Sequence, residues 1–265
     1  MQEIVHENIK HSDFELLYGY TGAGLYFLEK EKDQYAKETI KLILDHLISK
    51  IDFKTKSPGI AHGIAGPVLF CVKCIEKDIE IDRAKKVLQA FVPEIFNIFS
   101  HNFYNSGQLH ISRSKSDNYP NPLGWCHGIP GLALSIFKAG RATLQKDWMS
   151  FAIHCMKDYV FELQQNENKV KDNCLCHGIT GIASILRNFY LQTKITTFLD
   201  ASDYWIEKSI NDSMHASTSQ YTILNVQKDL DPGLLTGTAG ISLSYLNVLT
   251  SDIDEPGWET CLLIN

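Results

Sequence analysis

The chain has 265 residues, of which 44% are hydrophobic and 21% charged, a balance that supports a large core and excludes wholesale disorder. Its formal net charge of −6 offers no basic field for phosphates, which argues against nucleic acid as a partner. Seven cysteines, an odd number scattered along a mid-sized chain, do not form a disulfide framework, so free thiols and thiolate ligands are expected.

The N-terminal segment MQEIVHENIKHSDFELL carries acids and amides where an export signal places basic and then apolar residues. No stretch reaches the roughly 18 apolar residues that span a bilayer, so no transmembrane segment is expected and a reducing cytoplasm is the expected location. One domain over residues 1–265 is expected, since a helical ring of this length is one unit.

Five related phrases follow along the chain: YGYTGAGLYFL at 18–28, HGIAGPVLF at 62–70, HGIPGLALS at 127–135, HGITGIASIL at 177–186 and TGTAGISLSYL at 236–246. Each is Gly-x-x-Gly running into apolar residues, and their first glycines lie 44, 65, 50 and 59 residues apart. Between them lie segments of helical periodicity, such as Ala36, Ile40, Ile43, Leu44, Leu47 and Ile48. The repeating unit is therefore a helical hairpin, and the fold class is all-α. The paired glycines are expected to permit unusual backbone angles and close helix approach at each turn. The best strand candidate, QLHISRS at 108–114, lies in a polar connection. The long connections 100–123 and 211–232 are candidate lids or substrate contacts.

Three phrases carry soft or titratable residues at equivalent points: Ala61-His62, Trp125-Cys126-His127 and Cys174-Leu175-Cys176-His177. Thiolate sulfur and imidazole nitrogen are the donors Zn2+ selects, and Cys126, Cys176 and His177 leave a fourth tetrahedral position open, as in catalytic sites. A helix N-terminus favours the thiolate form there. Taken singly, each cysteine also fits a small buried hydrophobe. Cys174 is the alternative ligand, ranked second because it falls outside the repeated phrase. Cys71 and Cys74 form a CxxC without a second pair and read as core, half buried; Cys155 and Cys261 carry no signal. Register with His127 and His177 gives His62 a role at the site, and Trp125 is expected to pack beside it.

The combination GIAHGIAGP, WCHGIPG, CHGITG, GLLTGTAG and a terminal WETCLL from Trp258 resembles the lanthionine synthetase C family, the cyclases of lantibiotic biosynthesis, over residues 14 to 262. The resemblance implies an α/α-barrel with zinc at its mouth, held by Cys126, Cys176 and His177. It implies Michael-type addition of a peptide cysteine to dehydroalanine or dehydrobutyrine in the same precursor peptide, closing a thioether ring. By the match of its AHG phrase it places the acid that protonates the enolate on His62, and imidazole is a common proton donor for such a step. It also implies a leader-bearing precursor as substrate, with a dehydratase and a transporter as companions.

Some departures stand out. His127 follows the first zinc cysteine where the familiar cyclases carry Tyr, a replacement related members also use. Pro122 occupies the place of an arginine that would stabilise the enolate, with Arg113 as the candidate substitute. Glu15 stands for the usual Asp before the first phrase. Helices that precede that phrase in the family are not expected here, and five phrases do not draw a ring of seven hairpins. Three other functions compete: a peptide-binding subunit without turnover, a zinc hydrolase, and glutathione addition to dehydroamino acids. The hydrolase lacks an H-E-x-x-H or H-x-E pattern beside the ligands.

Overall fold

The computed structural model describes residues 7, 9, 12–51, 58–105, 108–109, 111, 123–215, 231–249 and 257–265. Its helices are α1 (Tyr20–Leu28), α2 (Gln34–Ser49), α3 (Ala65–Glu76), α4 (Ile81–Asn102), α5 (Ile129–Thr143), α6 (Lys146–Gln165), α7 (Ile179–Thr193), α8 (Thr196–His215) and α9 (Thr238–Leu249). Short 3-10 helices occupy Glu167–Lys169 and Gly257–Leu262. The only strands among the described residues are β1 (Tyr104–Asn105) and β2 (Gln108–Leu109), two residues each and antiparallel. Gln108–Leu109 opens the expected strand candidate, and most of its remainder lies outside the described residues.

Local chemistry sets the hairpins. The Asp33 carboxylate caps α2 by accepting from the Tyr35 N–H at 2.9 Å. The helix then buries Ala36, Ile40, Ile43, Leu44 and Leu47 on one face, as the periodicity predicts. α5 and α7 end on left-handed residues, Leu144 (φ 58°) and Lys194 (φ 59°), which reverse the chain into α6 and α8.

Helices α1, α3, α5, α7 and α9 pack successively side by side, and α1, α3, α5 and α7 each pair with the helix that follows, giving the two layers of an α/α toroid. The middle of the inner layer is buried on nearly every face: α5 buries every residue from Ile129 to Gly140, and α7 those from Ile179 to Leu186. The β1–β2 hairpin wedges between the outer helices α4 and α6. The apolar C-terminal stretch Leu262, Leu263 and Ile264 is buried in the same core. Among the described residues no helix is long and apolar enough to cross a membrane.

Each Gly-x-x-Gly phrase heads one inner helix. The reason for its glycines differs from the expected one. Gly19, Gly128 and Gly178 are extended (φ −107°, −90° and −106°), a conformation open to any residue. What excludes a side chain is proximity. A Cβ at the second glycine of each phrase would strike the carbonyl six residues earlier, at Leu16, Ile60, Trp125, Leu175 and Leu234. The glycines let each entry loop fold back onto its own helix.

Candidate metal centre

The residue two before the first glycine of each phrase links one loop to the next. Leu17 N–H donates to Ala61 C=O (3.2 Å), Ala61 to Cys126 (3.2 Å), Cys126 to Cys176 (3.2 Å) and Cys176 to Leu235 (2.8 Å). This ladder runs around one end of the inner layer. It sets in line the five residues just before the glycines: Tyr18, His62, His127, His177 and Thr236.

The expected ligands meet on it. One donor atom from each of Cys126, Cys176 and His177 lies within 4.8 Å of the others. Zinc–sulfur and zinc–nitrogen bonds place ligand atoms of a tetrahedral site about 3.5–3.8 Å apart, so this set closes around the ion with small side-chain adjustments. Donor chemistry and spacing both fit zinc, and three ligands would leave one tetrahedral position open. Cys174 does not join this group; it forms a second one with Asp172 and His177.

Electrostatics prepare the donors. The Cys176 thiol donates to Cys126 and, against the opposing effect of burial and with help from His177, brings the Cys126 thiol down to about 5. Cys176 is pushed up by the same hydrogen bond and by burial. Its contact with Asp172, then those with Cys126 and Cys174, raise His177 to about 12. Burial raises the Asp172 carboxyl, but hydrogen bonds with His177 and Cys174 outweigh it and hold the group below its ordinary value.

Beside the thiols stands the second expected group. His62 Nδ1 lies 2.7 Å from Glu15 Oε2, and its ring is stacked between Tyr18 (centroids 5.5 Å apart) and His127 (5.4 Å). Burial lowers His127, and the ring also feels the charges of Cys126, His62, Glu15 and His177. Glu15, His62 and His127 thus form one file leading to Cys126. Trp125 is buried and donates to the Leu262 carbonyl (2.9 Å), which ties the C-terminal stretch beneath the site.

Other expectations fall elsewhere. Cys71 and Cys74 are completely buried on α3, deeper than expected, with both thiols raised chiefly by burial. Arg113 and Pro122 lie outside the described residues, as do residues 112–122 and 216–230 of the two long connections.

Sequence reasoning missed four contributors. Asp172 contacts His177; its signal was an aspartate six residues before the first glycine in three phrases, at Asp13, Asp172 and Asp231. Gly59 and Gly124, each four residues before that glycine, let adjacent loops touch. A Cβ on Gly124 would sit 2.7 Å from His177 Cβ, and one on Gly59 would strike the Cys126 carbonyl. Tyr18, 83% exposed, covers the outer face of His62.

The fold is similar to the solved structure of nisin cyclase, with a TM-score of 0.76 at 16% sequence identity, covering 100% of this chain and 72% of that one. The family model for lanthionine synthetase C-like protein matches residues 1–263. With that match over nearly its full length, the chain belongs to the lanthionine synthetase C-like family.

Proposed function

We propose that this protein is a zinc-dependent peptide cyclase that adds a cysteine thiol to a dehydroalanine or dehydrobutyrine in the same precursor. The observation that carries this reading is the convergence of Cys126, Cys176 and His177 within 4.8 Å, beside the Glu15–His62–His127 file. When bound, zinc supplies acidification of the substrate thiol and stabilisation of the negative charge that develops on the acceptor carbonyl.

The remaining work belongs to side chains of this chain. Cys126, Cys176 and His177 would hold the ion. The new bond joins sulfur to the β-carbon, the alkene electrons shift toward the carbonyl, and a proton must then reach the α-carbon. His62 delivers it. Glu15 on Nδ1 orients the ring and leaves Nε2 as the nitrogen that faces substrate. His127 stacks on the inner face of the His62 ring and holds it in place. Overall, the hydrogen lost by the thiol is balanced by the hydrogen gained at the α-carbon. The substrate must already be dehydrated, so a Ser/Thr dehydratase acts before this protein, on a precursor that still carries its leader.

The test uses the purified, zinc-loaded chain and a dehydrated peptide with one cysteine. Ring closure leaves the mass unchanged, so products are treated with a thiol-alkylating reagent before mass spectrometry. Loss of alkylatable thiol at catalytic enzyme supports the reading. Full alkylation after incubation with stoichiometric enzyme overturns it.

A further inference from the structure

Asp172 sits six residues before Gly178 and serves the loop and the metal centre with different oxygens. Oδ1 accepts the Cys174 N–H at 2.9 Å and shapes the turn that delivers Cys176 and His177. Oδ2 lies 3.2 Å from His177 Nε2. The fifth phrase carries the same device without a metal ligand: Asp231 Oδ1 accepts the Gly233 N–H at 2.7 Å, and its Oδ2 accepts the Thr236 hydroxyl at 2.7 Å. Thr236 and His177 are equivalent residues, each just before the first glycine of its phrase. The turn itself therefore needs only Oδ1, and the second oxygen is available for whatever side chain stands there.

At the fourth phrase that side chain is a zinc-ligand candidate. We propose that Asp172 is the positioning residue of the metal centre, accepting the Nε2 proton of His177 so that Nδ1 is the nitrogen presented to the metal. This rests on the metal reading of Cys126, Cys176 and His177. An imidazole that ligates a metal keeps one proton, and a carboxylate fixed on one side decides which nitrogen carries it. The same contact locks the ring plane and makes the coordinating nitrogen a stronger donor. A formal negative charge beside two thiolates also holds the dication more tightly.

Asp172→Asn separates this role from a structural one. Asparagine keeps the shape and, with its Oδ1, the bond from Cys174. Its amide NH2, however, turns a donor toward Nε2, which favours a proton on Nδ1 and opposes metal binding there. Zinc dissociation constants are measured by chelator competition for the wild type, Asp172→Asn, Asp231→Asn and Cys176→Ala, with the thermal midpoint of each metal-free protein as the fold check. The expected result is a metal-free midpoint near wild type for Asp172→Asn with zinc binding weakened about 10- to 100-fold. Asp231→Asn should bind like the wild type, because the Thr236 hydroxyl can accept from an amide as readily as it donates to a carboxylate. Asp172→Asn binding zinc within about twofold of wild type, while Cys176→Ala loses it, overturns the Asp172 role and leaves the metal reading intact. A wild-type chain that binds no zinc overturns both.

Discussion

Replacing Gly124 with alanine tests whether the close stacking of neighbouring loops builds the metal centre. Its added Cβ would lie 2.7 Å from His177 Cβ and 2.8 Å from the Cys176 carbonyl oxygen, where ordinary contacts begin near 3.4 Å. These obstacles are backbone or backbone-anchored atoms, so rotamer changes do not relieve them. The third and fourth loops must part by more than half an ångström, at the rung where Cys126 N–H meets Cys176 C=O at 3.2 Å. Overpacking of this kind costs about 1–3 kcal/mol, and in a chain somewhat larger than 150–250 residues each kcal/mol lowers Tm by roughly 2–4 °C or slightly less. The metal is more demanding, because ligand distances tolerate only about 0.2 Å. Zinc affinity should therefore fall at least about tenfold, comparable to losing a supporting group. Differential scanning fluorimetry and chelator competition read the two effects, with Gly257→Ala, whose Cβ meets nothing within 4 Å, as control. A Gly124→Ala protein with wild-type Tm and zinc affinity would refute the stacking argument.

His62→Asn should retain zinc at wild-type stoichiometry yet slow cyclisation by about 10²- to 10⁴-fold, the usual worth of a positioned proton donor; loss of zinc together with activity would point to a ligand role instead. Trp125→Phe leaves the Leu262 carbonyl without its 2.9 Å donor in a buried setting and should cost about 1–3 kcal/mol, measured by denaturant unfolding. Iodoacetamide should label Cys261, the exposed cysteine, in the zinc-loaded protein, while Cys71, Cys74 and Cys155 react only after unfolding. Although the side chain is exposed, partial desolvation raises the Cys261 thiol, so the thiolate is scarce at neutral pH and labelling should accelerate about tenfold per pH unit until its raised pKa is reached. Peptide mapping by mass spectrometry decides this, and native labelling of Cys71 would contradict its burial.

The inner layer was legible because its five turns repeat: the same steric demand, a loop folded back on its own helix, imposes the same paired glycines each time. The ligands were legible for the same reason, since Cys126 and Cys176 occupy one register and His62, His127 and His177 the next. What escaped were features whose partners are distant in sequence. Gly59 and Gly124 look like ordinary loop glycines until the neighbouring loop's carbonyl is seen against them. Asp172 reads as a turn former, which it is, and only the folded loop brings its other oxygen to His177. The apolar run Leu262-Leu263-Ile264 announces burial but not a destination, and its tie to Trp125 spans 137 residues.

The loop-to-loop ladder also says how such a protein can change its trade. Each rung carries a two-residue address: Leu17-Tyr18, Ala61-His62, Cys126-His127, Cys176-His177 and Leu235-Thr236. The amides that fasten the rungs belong to the main chain, so they are indifferent to which side chains occupy an address. Chemistry at the mouth is in this sense written in interchangeable dipeptides on a fixed dial. A new donor set can be composed by exchanging two residues at one address, with the helices beneath left as they are.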